Sequence, residues 1–317
     1  MLTLRIVVTG GAGFIGSHLC ARLLGDGHQV IAVDNLITGS RRNIAHLSEH
    51  PNFSYLQHDV IQPLDVEANA IFHLASPASP KGYMDHPIET ALANSFGTHN
   101  LLEMAKRCNA SFLLASTSEA YGDPQEHPQK ESYWGHVNPV GPRACYDESK
   151  RFGEALTTTY IRSVGVDARV IRIFNTYGPH SDPADGRIVP NFITQAVDGK
   201  PITVYGDGSQ TRSICYVDDL VDGIVATMFK PGTKGEVVNL GNPEEHTVLE
   251  YAQIIRRLCG SSSEILFEAL PQDDPTRRCP DISKAWALLG WRPCIGLEDG
   301  LNRTIQWFKT VTKETSG

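Results

Sequence analysis

The chain has 317 residues, of which 41% are hydrophobic and 20% are charged, and its formal net charge is −8 at pH 7. Both fractions are ordinary for a globular protein, and the length is sufficient to bury a full core. The excess of acidic residues argues against a nucleic-acid-binding surface, so an anionic ligand would need a local cluster of arginines.

Strand-like segments alternate with amphipathic helical segments through the first part of the chain. The predicted strands are Arg5–Thr9, Gln29–Asp34, Ser54–His58, Ala70–Ala75, Ser111–Ala115 and Ala168–Phe174, and the predicted helices are Ile15–Leu24, Ile88–Arg107 and Tyr146–Ser163. This alternation predicts an α/β fold with a Rossmann-like, doubly wound parallel sheet and helices on both of its faces. Ligands of such sheets bind beyond the carboxyl ends of the strands.

The character of the sequence changes after Phe174, where Pro and Gly become frequent and arginines such as Arg212 stand singly at predicted loop positions. We therefore predict a dinucleotide-binding domain over residues 1–175. A smaller C-terminal substrate-binding domain is predicted over residues 176–317, with some of its segments returning to the sheet. The polar tail after Trp307 is predicted to fray.

The segment from Thr9 to Gly16 follows the first predicted strand and opens the first predicted helix. Its glycines at 10, 13 and 16, spaced G-x-x-G-x-x-G, permit a tight turn and close approach of a pyrophosphate to the backbone at a helix N-terminus. Asp34 ends the second predicted strand, where a carboxylate binds the adenosine ribose hydroxyls and repels a 2′-phosphate; this predicts NAD rather than NADP. The predicted cofactor-binding residues are Gly10, Gly13, Phe14, Ile15, Gly16, Asp34, Asn35, Thr38, Gly39, Asp59, Val60, Leu74, Tyr146, Lys150 and Thr176.

A set of proton-transferring side chains lies between Ser116 and Lys150. Tyr146 and Lys150 are four residues apart in a predicted helix and so share a face. A free tyrosine has a pKa of roughly 10, but a nearby ammonium and the charge of oxidised nicotinamide favour the phenolate. The Y-x-x-x-K spacing alone also fits a surface helix pair. After a dinucleotide motif, it predicts an enzyme that oxidises a hydroxyl.

Longer strings carry a family resemblance. They are HLASPASP at 73–80, STSEAYGDP at 116–124, GPRACYDE at 141–148, RIFNTYGP at 172–179, GSQTR at 208–212, NLGNP at 239–243 and DDP at 273–275. On these strings the chain resembles the extended short-chain dehydrogenase/reductases over nearly its full length and, within them, the UDP-glucuronate decarboxylase family. The resemblance implies a nucleotide-sugar substrate and a homodimer that pairs the helix near Ile88–Arg107 with the helix bearing Tyr146.

The resemblance also implies the chemistry. Tyr146 takes the proton of the sugar C4 hydroxyl as hydride passes to NAD⁺, and Thr117 hydrogen-bonds the same oxygen. The resulting 4-ketone lies β to the C6 carboxylate, so loss of carbon dioxide leaves an enolate that the ketone delocalises. Glu119 and Arg278, for which Arg277 is the alternative, manage protonation at C5. Return of hydride to C4 gives the nucleotide-linked pentose, UDP-xylose.

The predicted substrate-binding residues lie mostly in the C-terminal part. For most of them, the sequence is equally compatible with a structural role and with a binding role. They are Pro77, Tyr83, Asn175, Arg187, Asn191, Tyr205, Gln210, Arg212 and Arg278. Arginine suits a diphosphate because its fork donates two hydrogen bonds. Three positions depart from the family pattern: Leu92 and Cys279 stand where lysine is expected, and Ser149 where glycine is commoner. A dTDP-linked substrate therefore stays open.

Ser118 separates the alternatives within the fold. Nucleotide-sugar 4,6-dehydratases resemble this site but carry an aspartate after the threonine, which protonates the departing C6 hydroxyl. A serine cannot be that acid, and a carboxylate leaving as carbon dioxide needs none. Ser118 therefore favours decarboxylation, while 4-epimerisation stays open. A non-catalytic NAD-binding regulator is the alternative from another class, although the chain keeps both Tyr146 and Lys150.

The remaining signals concern metals and location. The twelve histidines show no H-E-x-x-H or similar ligand spacing, so no metal is predicted, and His73 is expected to be a packed residue. The seven cysteines are scattered without a C-x-x-C pair, which is typical of a reducing compartment. No signal-like segment and no apolar run near the roughly 20 residues of a membrane span is found. We expect a cytoplasmic protein without membrane or nucleic-acid partners.

Overall fold

The computed structural model describes residues 2–269 and 278–315 of the chain. Its strands are β1 (Arg5–Thr9), β2 (Gln29–Asp34), β3 (Phe53–Gln57), β4 (Ala70–His73), β5 (Ser111–Thr117), β6 (Ala168–Ile173), β7 (Thr176–Tyr177), β8 (Ile202–Tyr205), β9 (Thr211–Ser213), β10 (Cys215–Tyr216), β11 (Val237–Leu240), β12 (Glu245–Thr247) and β13 (Ile265–Glu268). Its α-helices are α1 (Phe14–Gly25), α2 (Pro80–Asp85), α3 (Pro87–Leu92), α4 (Thr98–Cys108), α5 (Ala144–Val164), α6 (Ile188–Val197), α7 (Val217–Phe229), α8 (Val248–Cys259), α9 (Ser283–Leu289) and α10 (Leu297–Thr315).

Within the described residues, seven strands form one parallel sheet in the order β3-β2-β1-β4-β5-β6-β11. The chain order reverses between β1 and β4, and this switch point is where doubly wound sheets bind ligands. The predicted fold class is confirmed. β11 comes from the C-terminal part of the chain, and the domain boundary near residue 175 stays a prediction.

Alternating side chains of β1 show how the sheet is buried on both faces. Ile6 and Val8 pack into one apolar cluster with helices α1 and α7, whereas Val7 packs into a second cluster on the opposite face with α4. A strand covered on both faces reads as a continuous apolar run, which is why the sequence shows β1 and β2 so clearly. Among the described helices, none has the length and apolar character required to cross a bilayer.

Three local predictions were wrong. The segment predicted as one helix, Ile88–Arg107, is divided by a π-helical turn at Ala93–Gly97; a Cβ at Gly97 would come within 2.7 Å of a methyl group of Val60. Arg212, predicted in a loop, lies in β9, which pairs with β12. The tail after Trp307 does not fray at once, because α10 buries Phe308 and Val311 against the core.

A buried ion pair joins β6 to α5. The Arg172 guanidinium of β6 donates to both oxygens of Glu154 of α5, at 3.0 and 2.7 Å. The Ser116 hydroxyl at the end of β5 also donates to Glu154. The side chains of Arg172 and Glu154 are 13% and 12% exposed, so each charge depends on the other for compensation.

The substitution Glu154→Ala tests this pair. It leaves the Arg172 charge buried without its carboxylate, and we expect the free energy of unfolding to fall by about 3 kcal/mol. The matched control is Glu148→Ala on the same helix, where a 38% exposed carboxylate lies 3.6 Å from Arg151 and the expected loss is below about 1 kcal/mol. Urea unfolding measures both variants, and equal losses would contradict the assignment.

Candidate active site

A cavity of about 1100 Å³ opens at the carboxyl ends of β1, β2, β4, β5 and β6. It is lined by every residue that the sequence predicts for the site. These residues are Gly10, Gly13, Phe14, Ile15, Gly16, Asp34, Asn35, Thr38, Gly39, Asp59, Val60, Leu74, Pro77, Tyr83, Thr117, Glu119, Tyr146, Lys150, Asn175, Thr176, Arg187, Asn191, Tyr205, Gln210, Arg212 and Arg278. The alternative arginine, Arg277, lies outside the described residues.

The glycine turn between β1 and α1 leaves room for a pyrophosphate. Gly10 has a φ of 71°, and a Cβ on Gly16 would overlap the Gly10 carbonyl oxygen, so neither position admits a side chain without strain. α1 begins at Phe14 after Gly13, which provides no side-chain cap. The first N–H groups of the helix therefore remain available to an anion at the cavity wall.

The Asp34 carboxylate lies beside the glycine turn and is held there by backbone hydrogen bonds. It accepts hydrogen bonds from the backbone N–H groups of Ala12 (3.0 Å) and Leu36 (2.8 Å). Burial raises the pKa of Asp34, and the two N–H donors act against that rise. A Cβ on Gly39 would come within 2.8 Å of the carboxylate, so the residue opposite Asp34 must be small. These features fit the ribose and pyrophosphate of NAD.

Tyr146 and Lys150 lie on one face of α5 and are both buried. The Lys150 ammonium donates to the Ala115 carbonyl oxygen at 2.8 Å and lies 5.8 Å from the centre of the Tyr146 ring. Thr117, the last residue of β5, accepts from the N–H of Glu119 at 3.1 Å and hydrogen-bonds Tyr146. The end of β5 and one face of α5 thus bring together Thr117, Tyr146 and Lys150 of the predicted proton-transfer set.

Burial acts against the phenolate that the sequence analysis expects a nearby ammonium and the charge of oxidised nicotinamide to favour. Burial raises the pKa of Tyr146 to about 12, and the hydrogen bond with Thr117 offsets only part of the rise. Burial also lowers the pKa of Lys150 to about 7. The physical reason is that removal from water penalises the charged form of each group more than neighbouring charges stabilise it.

Glu119 lies between two arginines. One carboxylate oxygen pairs with Arg278 and the other with Arg143, and Arg278 also donates to the Gly122 carbonyl oxygen at 3.1 Å. Burial alone would raise the pKa of Glu119, but the charges of Arg278 and Arg143 outweigh it and the pKa is lowered. Sequence reasoning missed Arg143, although it lies three residues before Tyr146 within the GPRACYDE string.

The ring of Tyr83 stacks on the ring of Tyr146. The rings of Tyr83 and Tyr146 are nearly parallel, at an interplanar angle of 10° and a centroid distance of 4.9 Å. The Arg143 guanidinium lies 5.9 Å from the centre of the Tyr83 ring. Tyr83 therefore fixes the tilt of the Tyr146 ring, a role in addition to the substrate contact that the sequence predicted.

The nucleotide-side residues reach the cavity, but their polar groups are already engaged with protein. The Arg187 guanidinium pairs with Asp185, through an Nε to Oδ1 distance of 2.7 Å. The side-chain amides of Asn191 and Gln210 donate to the carbonyl oxygens of Gly186 and Tyr205, at 3.1 and 2.8 Å. Sequence reasoning missed Asp185, and the binding roles of these residues stay predictions.

Two further positions shape the sugar end of the cavity. Ser118 is 3% exposed and begins the short 3-10 turn that presents Glu119. Leu92 also lines the cavity, so the place where a lysine was expected is apolar here.

His73, by contrast, is buried at the end of β4, and its Nδ1 hydrogen-bonds the Thr9 hydroxyl at 2.8 Å. The structure thus gives His73 the packing role expected of it.

Comparisons with known proteins agree with this arrangement. The model of the NAD dependent epimerase/dehydratase family matches residues 6–241. UDP-glucuronic acid decarboxylase 1 of Danio rerio is 57% identical over 304 residues, which are 96% of this chain and 72% of the relative's length. UDP-glucuronic acid decarboxylase 1 of Arabidopsis thaliana is 52% identical over 315 residues, which cover 99% of this chain and 72% of that protein.

A solved structure shares the fold at lower identity. It is the UDP-glucuronic acid 4-epimerase of Bacillus cereus in complex with UDP-glucuronic acid and NAD, which superimposes with a TM-score of 0.87 at 30% sequence identity. The match covers 97% of this chain and 99% of the epimerase. Family membership and this NAD-bound neighbour support NAD as the cofactor of the cavity described here.

The substitution Asp34→Asn tests the cofactor preference. It keeps the shape of the side chain and removes the charge, so we expect NAD⁺ affinity to fall by about tenfold or more, as for a charge-assisted hydrogen bond. The preference for NAD⁺ over NADP⁺ should shrink at the same time, because a 2′-phosphate is no longer repelled. Calorimetric titration with both cofactors measures the ratio.

The matched control is Asp59→Asn, since the Asp59 carboxylate accepts from the Asn35 side chain at 3.0 Å at the same end of the cavity. We expect Asp59→Asn to change the affinities for the two cofactors by similar factors. An unchanged NAD⁺ to NADP⁺ ratio in Asp34→Asn would contradict the role of Asp34.

Proposed function

We propose that this chain, which belongs to the NAD dependent epimerase/dehydratase family, decarboxylates UDP-glucuronate to UDP-xylose. Relatives that are 57% and 52% identical over nearly the whole chain carry the name UDP-glucuronic acid decarboxylase. The observation that carries the proposal is the pairing of Glu119 with Arg278 and Arg143 beside Tyr146. Fixed charges beside Tyr146 can stabilise the charge that develops when the carboxylate leaves.

The first task of these residues is to move a proton from the sugar. When bound, NAD⁺ supplies the hydride acceptor and a positive ring charge, and NADH returns the hydride at the end of the cycle. Tyr146 accepts the proton of the C4 hydroxyl, and Thr117 orients that hydroxyl by hydrogen bonding. Lys150 places its amine beside the Tyr146 ring, 5.8 Å from the ring centre.

The second task is to stabilise the charge that decarboxylation creates. The C5–C6 bond breaks, carbon dioxide leaves, and the electron pair passes to the C4 oxygen as an enolate. Because Tyr146 has already taken the C4 proton, it is a phenol at this step, and together with Thr117 it donates hydrogen bonds to this oxyanion.

The third task is protonation at C5. Because the pKa of Glu119 is lowered by its two arginines, the carboxylate is ionised at neutral pH and is not itself the acid. It acts instead as an acceptor that orients a water molecule, while Arg278 and Arg143 hold the carboxylate in place. The water donates a proton to C5 and the hydroxide it leaves passes to solvent, so the enolate becomes a 4-ketone with a tetrahedral C5 before hydride returns to C4.

Two rival functions share the fold. A 4,6-dehydratase needs an acid next to Glu119, and Ser118 cannot supply one. A UDP-glucuronate 4-epimerase would oxidise the same C4 hydroxyl without losing carbon dioxide, and the Bacillus cereus enzyme of that name shares the fold with a TM-score of 0.87. A non-catalytic NAD-binding regulator is disfavoured because Thr117, Tyr146 and Lys150 are all retained.

The assay that separates these functions incubates the purified chain with NAD⁺ and UDP-glucuronate, and in parallel with dTDP-glucuronate. We expect release of carbon dioxide and formation of UDP-xylose from UDP-glucuronate. Formation of UDP-galacturonate without carbon dioxide would identify the epimerase instead. No turnover of either substrate would overturn the proposed decarboxylase, and a preference for the dTDP sugar would correct the nucleotide.

The substitution Glu119→Gln tests the residues that carry the proposal. UDP-glucuronate binding should persist, while kcat for carbon dioxide release falls by about 100-fold or more, because the water at C5 loses its acceptor and both arginines lose their counter-charge. Glu148→Gln is the control, since the same change on the exposed side of α5 should leave kcat unchanged. Wild-type turnover in Glu119→Gln would remove Glu119 from the chemistry.

We further propose that the chain forms a homodimer through α3, α4 and α5. Large apolar side chains on this surface are exposed: Ile88 by 70%, Phe96 by 59% and Phe152 by 51%. They lie on α3, on the π-helical turn and on α5, elements that contact one another, and exposed apolar surface is typical of an interface when it is contiguous. The division into a cofactor-binding part up to residue 175 and a mainly nucleotide-sugar-binding part after it belongs to the same proposal. A cytoplasmic location is supported by the seven free cysteines.

The double substitution Phe96→Glu with Phe152→Glu tests the interface. We expect the wild-type chain to sediment as a dimer and the variant as a monomer, because two buried carboxylates per protomer cost more than the apolar contact contributes. Trp286→Glu is the control, since Trp286 is 54% exposed on α9, away from this surface. A dimer that persists in the double variant would contradict the proposed interface.

A further inference from the structure

Three potential metal-ligating side chains converge where Cys279, the residue after Arg278, meets His127 and Glu245. The Nε2 atom of His127 lies 2.9 Å from a carboxylate oxygen of Glu245, and 118 residues of sequence separate the two. The Sγ atom of Cys279 lies beside them, and all three ligand atoms are within 4.8 Å of one another. The short ligand spacings typical of metal-binding motifs do not reveal this cluster, because its three members lie far apart in the sequence.

The cluster is oriented by surrounding hydrogen bonds. The Thr211 hydroxyl donates to the other oxygen of Glu245 at 2.7 Å, which leaves the first oxygen facing His127. The backbone of Cys279 is tied to Gln129, two residues beyond His127: the Cys279 N–H donates to the Gln129 side chain at 3.0 Å, and the Gln129 N–H donates to the Cys279 carbonyl at 2.9 Å. Such outer contacts fix the orientation of ligands at metal sites.

The chemistry of the three side chains selects the ion. Thiolate, imidazole and carboxylate together suit Zn²⁺, whereas Mg²⁺ and Ca²⁺ require mostly oxygen ligands. Tetrahedral zinc with bonds of about 2.0 to 2.3 Å places its ligands about 3.5 Å apart, so the widest gap must close by about 1 Å. The Cys279 side chain is 4% exposed and His127 remains accessible, which permits water as the fourth ligand.

We propose that His127, Glu245 and Cys279 form a zinc-binding site that anchors the segment bearing Arg278. On binding, the Cys279 thiol releases its proton to solvent and the sulfur forms the bond to the metal. The thiol now contacts the Pro243 carbonyl oxygen at 3.4 Å, a weak interaction that the metal replaces. Because Cys279 directly follows Arg278, the ion would fix the backbone next to the arginine that pairs with Glu119.

The test uses the full-length chain, purified in chelator and dialysed. Zn²⁺ is added, and binding is measured by competition with a chromophoric chelator and by elemental analysis after gel filtration. We expect about one ion per chain and a rise of a few degrees in melting temperature. Co²⁺ in place of Zn²⁺ should give a thiolate-to-metal charge-transfer band and the visible bands of a tetrahedral site.

Variants separate this site from adventitious binding. Cys279→Ser and Glu245→Gln should each weaken zinc affinity by at least about tenfold, since even outer-shell losses reach that size. Cys294→Ser is the matched control, because Cys294 is an exposed thiol outside the cluster and its loss should change nothing. Zinc binding that survives Cys279→Ser, or a wild-type cobalt spectrum without the thiolate band, would overturn the proposal.

Discussion

The Glu119 carboxylate, held between Arg143 and Arg278, is the contact on which the site depends. It joins the 3-10 turn that follows β5, the start of α5 and the segment that bears Arg278. This cluster of one carboxylate and two guanidinium groups carries one net positive charge in a chain whose formal net charge is −8. Because the chain as a whole is acidic, an anionic sugar nucleotide needs such a local arginine cluster in order to bind.

Burial governs the protonation of the remaining groups. It raises the pKa of Tyr146 to about 12 and lowers the pKa of Lys150 to about 7, so both side chains are shifted toward their neutral forms. A neutral phenol is a better hydrogen-bond donor to a developing oxyanion than a phenolate is.

Periodicity sufficed for the sheet because its strands are buried on both faces and bounded by turn residues. β1 and β2 begin and end where the sequence places them, whereas β5 continues to Thr117 because its last residues pair with β6. The π-helical turn at Ala93–Gly97 and the pairing of Arg143 with Glu119 were not predicted. Each depends on a contact between segments that the local sequence does not encode, such as Gly97 against Val60.

The fold by itself does not select the reaction. A UDP-glucuronic acid 4-epimerase superimposes with a TM-score of 0.87 although only 30% of residues are identical, so both chains form the same sheet and cofactor cavity. What distinguishes reactions on such a scaffold is the few side chains at the end of β5 and on the Arg278 segment. We propose that Ser118 is the residue that separates decarboxylation from dehydration. An acid at this position is needed to expel a hydroxyl, whereas a carboxylate leaves as neutral carbon dioxide and needs no proton.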